Sequence, residues 1–487
     1  MTTTRHSAAL PFSSDMHRPL PDSTRQHLDG VRDFYDAAPT ELRWGARGYR
    51  ALLAHYYNLL IPADASVLEI GCGSGELLSR LKAARKTGID LSATQIGAAR
   101  VRVPDGTFHV QAGESVDLPG PFDVIIISDA LNLAADVQLL LERLQASSHP
   151  GTRLLINIQN SLWRPVLSLA RWLGLKAPGP ENSWLAPFDV LNLLQLAGWV
   201  PICRQGRLLV PVPIPVLAPL MNRCLAPLAQ WFCLTVFIVA RPGRPAPQPR
   251  TVSVIIPARN EAGNIEAAVR RTPEMGAGTE LIFVEGHSRD DTWAQIQRVA
   301  RENPERKIKL MQQTGRGKGD AVRLGFAAAT GDILMILDAD LTMPPEELLK
   351  FYEVLASGRA EFANGVRLVY PMDEQAMQFL NLCANKAFGI IFTWLLGQPV
   401  KDTLCGTKVL SRANYEKIAA NRAYFGDFDP FGDFDLLFGA AKLNLKIADV
   451  PIRYRERTYG TTNIHRWSHG WLLLRMVAFA ARKLKFV

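Results

Sequence analysis

Two strand-end motifs occur in series along the 487 residues, and they constrain the fold more than any other feature. The first is Glu69-Ile70-Gly71-Cys72-Gly73-Ser74-Gly75, and the second is Asp338-Ala339-Asp340. Each follows an apolar run typical of a buried parallel strand, and open α/β sheets bind ligands beyond the carboxyl ends of such strands. A proline-rich break at 241–250 favours an extended spacer between them. The sequence therefore predicts two α/β domains in tandem.

Apolar runs alternate with helix-like segments in both halves, which predicts a doubly wound, Rossmann-like sheet followed by a second nucleotide-binding sheet. Strands are predicted at Ser66–Ile70, Lys86–Asp90, Phe122–Ser128, Arg153–Ile158, Val252–Pro257, Glu280–Val284 and Asp332–Leu337. Helices are predicted at Glu76–Ala84, Val137–Leu144, Asn264–Arg271 and Thr292–Glu302. We predict a tail and lead-in at 1–45, domains at 46–240 and 251–469, a linker at 241–250, and a basic amphipathic helix at 470–487.

The formal charge of +9 suits phosphorylated ligands or anionic surfaces. The sequence lacks zinc-finger and RNA-binding signatures, so no nucleic-acid partner is predicted. Six cysteines without paired spacing argue against a disulfide framework or zinc site and favour a cytoplasmic location. The most apolar stretch, Leu208 to Ala240, contains five prolines and an arginine, and so falls short of the roughly 20 apolar residues of a membrane span.

The glycines of the first motif permit a tight turn and a close approach of the backbone to a ligand. Asp90 follows Gly75 by fifteen residues, at the end of the next predicted strand. A carboxylate in that place can accept hydrogen bonds from both hydroxyls of a ribose. The motif and Asp90 together predict a nucleoside site. The nucleoside is not identified by these residues alone. A domain that binds NAD or a similar nucleoside, or a degenerate cofactor fold, is the alternative to a methyl-donor site.

From Tyr49 to Ala240 the chain resembles the class I S-adenosylmethionine-dependent methyltransferases, whose motif is E/D-x-G-x-G-x-G. The resemblance implies contacts to the cofactor from Glu69, Gly71, Gly73, Gly75, Asp90, Gly113, Glu114 and Asp129. The glycines would face its methionine part, Asp90 its ribose, the Gly113-Glu114 loop its adenine, and Asp129 the transferred methyl. Methyl transfer depends mainly on the proximity and alignment of the sulfonium with the acceptor. A dedicated base is therefore not required, and the motif does not identify the acceptor.

Asn157, Asn160 and Trp163 follow the last predicted strand of the first half. They are candidates for the acceptor side of the methyl-transfer site. Loop caps and a packed indole are the alternative interpretation, and the sequence favours it.

Two acids separated by one residue at a strand end can direct their oxygens at one divalent cation that bridges a diphosphate. In isolation, such a pair more often belongs to a solvated turn. Further motifs agree with the site in this chain. They are Pro257–Glu261, Gly315–Gly319, Asp402–Thr407 and Val450–Ile452.

From Arg250 to about Leu473 the chain resembles the inverting family 2 glycosyltransferases of GT-A type, and most closely the dolichol-phosphate mannose synthase branch. The resemblance implies that Asp338 and Asp340 hold Mg²⁺ or Mn²⁺ and serve catalysis, with Lys318 on the donor phosphates. Further contacts to a nucleotide-sugar or its acceptor are implied for Pro257, Arg259, Glu261, Glu285, Asp402 and Arg453.

One departure from that family concerns its D-D-G-S loop, which is Glu285-Gly286-His287-Ser288 in this chain. The second acid is absent, so the choice between a UDP-sugar and a GDP-sugar stays open. Asp433 and Asp435 are candidates for a general base or an acceptor-loop carboxylate, and equally for helix caps. The arginines at 453, 455 and 457 can grip a phosphate, or can be the exposed cations of an edge strand.

These observations predict a bifunctional enzyme of glycan or glycolipid assembly. It would transfer a sugar from a nucleotide-sugar to a polyprenyl phosphate or glycan, and a methyl group from S-adenosylmethionine to a related acceptor. The alternatives are a glycosyltransferase whose methyltransferase fold is a cofactor-binding regulatory or structural module, and a non-catalytic membrane-associated scaffold. We expect the helix at 470–487 either to lie on an anionic membrane at its cytoplasmic face or to pack on the catalytic domain.

Overall fold

The computed structural model describes residues 22–174, 179–180, 185–243, 249–369, 379–421, 433–455, 457, 459 and 466–487. By internal contacts the chain divides into two compact units. The first takes in 1–201, 206–222 and 229–242, and the second takes in 202–205, 223–228 and 243–487. Each unit has a sheet of seven described strands flanked by helices, so the predicted pair of α/β folds is confirmed.

The first sheet has the strand order β3-β2-β1-β4-β5-β7-β6. The first five of these strands are parallel, and β7 runs antiparallel to β5. The strands are β1 Ser66–Ile70, β2 Arg85–Asp90, β3 Thr107–Val110, β4 Phe122–Ser128, β5 Ser148–Gln159, β6 Trp199–Arg207 and β7 Thr235–Pro242. All five residues of β1 are buried, as expected for a strand covered on both faces.

Seven described helices belong to the first unit, and they begin before its glycine motif. They are α1 Asp22–Ala37, α2 Trp44–Leu60, α3 Ala93–Arg102, α4 Val137–Leu144, α5 Arg164–Trp172, α6 Pro187–Leu196 and α7 Leu217–Leu220. Asp36 of α1 accepts a hydrogen bond from Ser92 at the start of α3. The structure therefore places a helix that joins the folded unit within the predicted tail and lead-in.

The second sheet has the order β10-β9-β8-β11-β13-β12-β14. Its first four strands are parallel, whereas β13 runs antiparallel to both β11 and β12. The strands are β8 Val252–Ala258, β9 Thr279–Glu285, β10 Lys307–Gln312, β11 Ile333–Ile336, β12 Phe362–Val366, β13 Lys408–Ser411 and β14 Ile447–Pro451. Side chains of β8 alternate between two apolar clusters, with Ile255 in one and Val254 and Ile256 in the other.

The helices of the second unit cover both of its sheet faces. They are α8 Ile265–Arg271, α9 Thr292–Glu302, α10 Lys318–Ala328, α11 Leu348–Ala356, α12 Phe379–Leu396, α13 Arg412–Ala420, α14 Asp433–Lys442 and α15 Arg466–Leu484. Helix α15 starts four residues before the predicted boundary at 470. Its Met476, Ala480 and Ala481 are buried in the core of this unit, which favours packing over membrane attachment for those side chains.

The predicted helix Glu76–Ala84 is wrong. The structure has only one 3-10 turn, at Leu78–Arg80. Asn58 of α2 ends this turn, because its amide donates to the Arg80 carbonyl and accepts from the Lys82 N–H. Among the residues that the structure describes, no helix is both long and apolar enough to cross a bilayer.

Candidate cofactor and nucleotide sites

The three glycines of the first motif all have positive φ angles, +70° at Gly71, +51° at Gly73 and +74° at Gly75. This region costs other residues energy, so the turn requires glycine. A Cβ atom on Gly71 would lie 2.7 Å from the Cβ of Ala130. A Cβ on Gly73 would have no described atom within 4 Å. Gly71 is therefore fixed by packing, whereas Gly73 borders open space that a ligand can occupy.

Glu69 lies at the end of β1, and its side chain is buried. Within the described part of the chain, its Oε2 atom has no hydrogen-bond partner. Burial raises the pKa of Glu69 to about 8, although Arg50 acts in the opposite direction. An unsatisfied buried carboxylate beside a glycine turn fits a positively charged ligand group such as an ammonium. The residues present therefore fit the amino-acid end of S-adenosylmethionine.

Asp90 follows β1 across the sheet, at the end of β2. Its Oδ2 accepts a hydrogen bond of 2.8 Å from the Gly73 N–H, and its Oδ1 accepts one of 2.9 Å from the Ser92 N–H. Burial raises the pKa of Asp90, and these two amides oppose that effect. Asp90 thus fixes the glycine turn, and the second lone pair of each oxygen can accept a ribose hydroxyl.

The predicted adenine loop is one turn of 3-10 helix at Gly113–Ser115. The Glu114 side chain is buried, and its Oε1 accepts hydrogen bonds from the backbone N–H groups of Ala135 and Asp136. The structure therefore uses this carboxylate to hold a neighbouring loop. A Cβ on Gly113 would lie 2.7 Å from Leu140, so the position is tightly packed.

A hydrogen-bonded network joins α2 to the ends of β4 and β5. Asp129, at φ +54°, accepts from the Asn157 amide at 2.7 Å and from the Tyr49 hydroxyl at 3.3 Å. The Tyr57 hydroxyl donates to Asn157 Oδ1 at 2.7 Å, and an Arg50 nitrogen lies 3.7 Å from Asp129 Oδ2. Sequence reasoning missed the three α2 residues because they precede every motif. The only signal was their aromatic and basic character in one helix.

Two of the candidate acceptor-side residues brace a loop. The Asn160 amide donates to the carbonyls of Trp231 and Cys233, and the Trp163 indole donates to the carbonyl of Phe232 at 2.7 Å. The Asn160 contacts agree with its interpretation as a loop cap. The Trp163 indole links the segment after β5 to the turn at 230–232.

The second site collects residues from four segments of the chain. Asp338 Oδ1 lies 2.6 Å from the Lys318 ammonium, and Asp340 Oδ2 lies 2.6 Å from an Arg457 nitrogen. The other terminal nitrogen of Arg457 lies 3.0 Å from Glu261 Oε1. The structure thus brings together the two predicted metal ligands, the predicted phosphate-binding lysine and a glutamate that is predicted to contact the nucleotide-sugar or its acceptor. Arg457 joins them.

Charge balance in this cluster suits both a cation and a phosphate. Burial raises the pKa of Glu261 to about 7, while Arg457 and Asn264 oppose the rise. Asp338 and Asp340 supply hard oxygen ligands, so the residues fit Mg²⁺ or Mn²⁺. Lys318 is the first residue of α10 and follows Gly317 at φ +89°. An ammonium at a helix N-terminus favours phosphate binding.

The loop after β9 contains the departure from the family 2 pattern. His287 has a φ of +57°, and its Nε2 lies 2.9 Å from the Gly315 carbonyl oxygen. Glu285 accepts hydrogen bonds from the Ser288 N–H and the Gln312 amide. Burial alone would raise the pKa of Glu285, but these hydrogen bonds lower it. The Glu285 carboxylate therefore shapes its own loop, and its predicted contact to the substrate stays a prediction.

Asp402 and Arg453 are further predicted substrate contacts, and they have different surroundings in the structure; their predicted roles stay predictions. The Asp402 side chain has no exposed surface, and both oxygens accept hydrogen bonds from Arg367, at 2.7 and 2.9 Å. Asn385 and the backbone of the 402–405 loop donate to it as well. Asp402 therefore organises this loop from within. Arg453 is exposed, and Arg457, four residues later, is the arginine that reaches the acids.

The remaining predicted positions are Pro257, Arg259, Asp433 and Asp435. Pro257 is half-buried within β8, and Arg259 is exposed just beyond it. Asp435 is half-buried in the first turn of α14. Asp433 begins that helix, and its side chain lies outside the described residues. The roles predicted for these residues stay predictions.

The two sheets, with a glycine turn at one strand end and paired aspartates at another, define a tandem of two α/β ligand-binding domains. Residues 44–203 match the family model of a methyltransferase domain, and residues 253–418 match that of glycosyl transferase family 2. The chain therefore joins a methyltransferase domain to a family 2 glycosyltransferase domain. The resemblances stated from the sequence are confirmed.

Curated proteins that are similar to part of this chain include two sugar transferases. The dolichol-phosphate mannosyltransferase of Pyrococcus furiosus is 31% identical over 221 residues, which are 44% of this chain and 59% of that protein. The undecaprenyl-phosphate 4-deoxy-4-formamido-L-arabinose transferase of Pectobacterium carotovorum is 34% identical over 218 residues, 44% of this chain and 62% of that protein. This chain thus covers less than two thirds of each relative.

Solved structures resemble each half. A SAM-dependent methyltransferase of Thermotoga maritima shares 17% identity over 46% of this chain and 100% of its own, with a TM-score of 0.33. Glucosyl-3-phosphoglycerate synthase of Mycobacterium tuberculosis, in complex with UDP, shares 21% identity over 48% of this chain and 80% of its own, with a TM-score of 0.35.

Proposed function

We propose that this protein is a bifunctional enzyme of glycan or glycolipid assembly at the cytoplasmic side of a membrane. One domain transfers a sugar from a nucleotide-sugar to a polyprenyl phosphate or glycan, and the other methylates a related acceptor. The observation that carries the proposal is the meeting of Asp338, Asp340 and Glu261 with Lys318 and Arg457. The relatives named for dolichol phosphate and undecaprenyl phosphate support a polyprenyl-phosphate acceptor.

In the glycosyl-transfer step, Asp338 and Asp340 would hold a divalent cation that neutralises the leaving diphosphate when bound. The Lys318 ammonium binds a donor phosphate, and the helix start beneath it favours the same negative charge. The planar fork of Arg457 can shift between carboxylates and a phosphate, because it binds either bidentately. A phosphate acceptor is already anionic and needs no base, whereas a hydroxyl acceptor would need Asp433 or Asp435.

In the methyl-transfer step, S-adenosylmethionine supplies the methyl group when bound. Glu69 binds the ammonium of its methionine part, and Asp90 orients its ribose. Asp129 lies where the next parallel strand ends, and Asn157 and Tyr49 hold its carboxylate in place. These residues orient the reactants, which is the main requirement of such a transfer.

The first experiment measures sugar transfer by the purified chain from UDP- and GDP-sugars, with Mg²⁺ or Mn²⁺, to polyprenyl phosphate or a soluble glycan. We expect turnover that falls by about 100-fold or more in Asp340→Asn, because one preorganised charge is lost. Glu353→Gln, an exposed acid of α11, is the matched control. Absence of transfer from every donor would contradict the proposal.

The second experiment offers the glycosylated product and its precursor to the same chain with isotope-labelled S-adenosylmethionine. Incorporation of label supports the bifunctional enzyme. Cofactor binding without transfer to any acceptor would instead support the alternative in which the first domain is a regulatory or structural module.

A further inference from the structure

Helix α5 exposes apolar side chains that a helix of a globular domain usually buries. All nine of its residues are described, and none is buried. Trp163, Leu167 and Ala170 are half-buried along one stripe. Leu162, Val166 and Leu169 form a second apolar stripe at helical spacing, and they face solvent. The helix therefore has one apolar stripe more than its own domain covers.

A second segment extends the same surface. The Trp163 indole donates to the Phe232 carbonyl, and the Asn160 amide donates to the Trp231 carbonyl, so the turn at 230–232 lies beside the start of α5. We define the tryptophan face as Leu162, Val166, Leu169, Trp172, Trp231 and Phe232, whose exposed fractions range from 53% to 82%. Exposed apolar side chains grouped in neighbouring segments are typical of an interaction site.

Charge indicates the kind of partner. Arg164 and Arg171 are the only charged residues of α5, and both are exposed. Neither α5 nor the turn at 230–232 contains an aspartate or a glutamate. A protein surface as partner would typically offer charges of both signs, whereas an anionic bilayer offers one. Leucine, tryptophan and arginine on one helix are the composition of helices that lie in a membrane interface.

We propose that the tryptophan face docks this chain on an anionic lipid bilayer. Apolar side chains enter the acyl boundary, tryptophan rings lie at the headgroup level, and arginines contact the headgroup phosphates. The attachment expected of the C-terminal helix would then belong to the methyltransferase domain. This inference does not depend on either transfer reaction.

The test is co-sedimentation of the full chain with vesicles, without donor or cofactor. Vesicles of phosphatidylcholine with about one third phosphatidylglycerol should bind the chain about tenfold more tightly than pure phosphatidylcholine. Val166→Glu/Leu169→Glu should weaken that binding by about tenfold or more, because two acids enter the apolar stripe. Arg171→Gln should weaken it by about fivefold, on the anionic vesicles only.

The matched control is Val101→Glu/Val110→Glu, which places two acids at exposed valines of α3 and β3, the edge of the sheet opposite β6. It should bind as the unaltered chain does, and circular dichroism should show both double variants folded. Failure of the unaltered chain to bind, equal binding to neutral vesicles, or equal loss in the control would overturn the proposal. A dimer that dissociates in Val166→Glu/Leu169→Glu, without vesicle binding, would assign the face to a second copy instead.

Discussion

Glu69 in the first unit and Asp402 in the second are both buried carboxylates, but they differ in what surrounds them. Within the described residues, Glu69 Oε2 has no hydrogen-bond donor, and burial raises the pKa of the group to about 8. Burial would raise the pKa of Asp402 too, but Arg367 and Asn385 outweigh it and lower that pKa to about 2. Burial alone therefore does not identify a ligand site, because a carboxylate that the protein has already satisfied is structural.

The largest effect should come from removing the satisfied acid. Asp402→Asn leaves the Arg367 guanidinium charged and buried without its counter-ion. We expect the second unit to lose about 3–5 kcal/mol of unfolding free energy. Urea denaturation should show the loss, and Glu416→Gln, which removes an exposed acid on α13, should change little.

The same acid gives a pH dependence with a defined sign. Because the folded pKa is lowered from 3.8 to about 2, its stabilisation is complete above the ordinary pKa and is lost as the pH falls through the folded value. The unaltered second unit should therefore lose stability between about pH 4 and pH 2 more steeply than the Asp402→Asn variant. Parallel profiles for the two proteins would contradict this account.

Glu69 should respond to pH in the opposite sense, because burial raises its pKa instead of lowering it. A cationic group favours the ionised carboxylate, so cofactor binding must release a proton below the folded pKa of about 8. The affinity for S-adenosylmethionine should therefore rise with pH, by up to about tenfold per unit, and level off above that value.

Glu69→Gln should flatten this profile and weaken binding by about 10- to 100-fold at high pH, because a charge-assisted hydrogen bond is lost. Calorimetric titration across the pH range measures both effects. Asp105→Asn, an exposed acid of the same unit, is the control. A flat profile in the unaltered protein would remove the distinction between the two acids.

A smaller effect separates packing from ligand space within the glycine turn. Gly71→Ala and Gly73→Ala both force alanine into positive φ, at roughly 1–2 kcal/mol each. Gly71→Ala adds a clash with Ala130, so its loss of stability should be the larger. Gly73→Ala should mainly reduce cofactor affinity. Melting temperatures and binding constants measured side by side test the contrast, and equal changes in both quantities would refute it.

The smallest effect concerns His287. His287→Ala keeps the positive φ and loses the hydrogen bond to Gly315, so we expect a loss of about 1 kcal/mol. His287→Gly loses the same hydrogen bond but relieves the backbone strain, so its stability should change by less than about 0.5 kcal/mol. Denaturation midpoints decide between them, and identical losses would show that the backbone angle is not strained.

Periodicity and motifs predicted the strands and helices that depend mainly on their own local sequence. The runs that form β1, β4 and β8 are mostly apolar, and the helix Thr292–Glu302 has the predicted ends. The helix predicted after the glycine motif does not form, because Asn58 from a distant segment hydrogen-bonds to the backbone of Arg80 and Lys82. The local sequence pattern does not reveal such a long-range contact.

The site residues also divide into those that local sequence predicts and those that depend on tertiary contacts. Glu69, Asp90, Asp338 and Lys318 follow strands or glycine loops that mark them, and the structure places them at the predicted sheet edges. Arg457 could not be separated from Arg453 by sequence, because both belong to one basic run and only the tertiary path selects between them. The burial of Asp402 likewise depends on Arg367, which lies on no motif.

Helix α2 has a consequence for how the first half can be handled as a genetic unit. Tyr49, Arg50 and Tyr57 reach the strand ends from a segment encoded upstream of β1. A domain graft or truncation cut between residues 60 and 66 would keep the whole glycine signature and still pass any motif search. It would, however, remove the α2 side chains that contact Asp129 and Asn157 at the ends of β4 and β5. Expression boundaries should therefore be placed before α1.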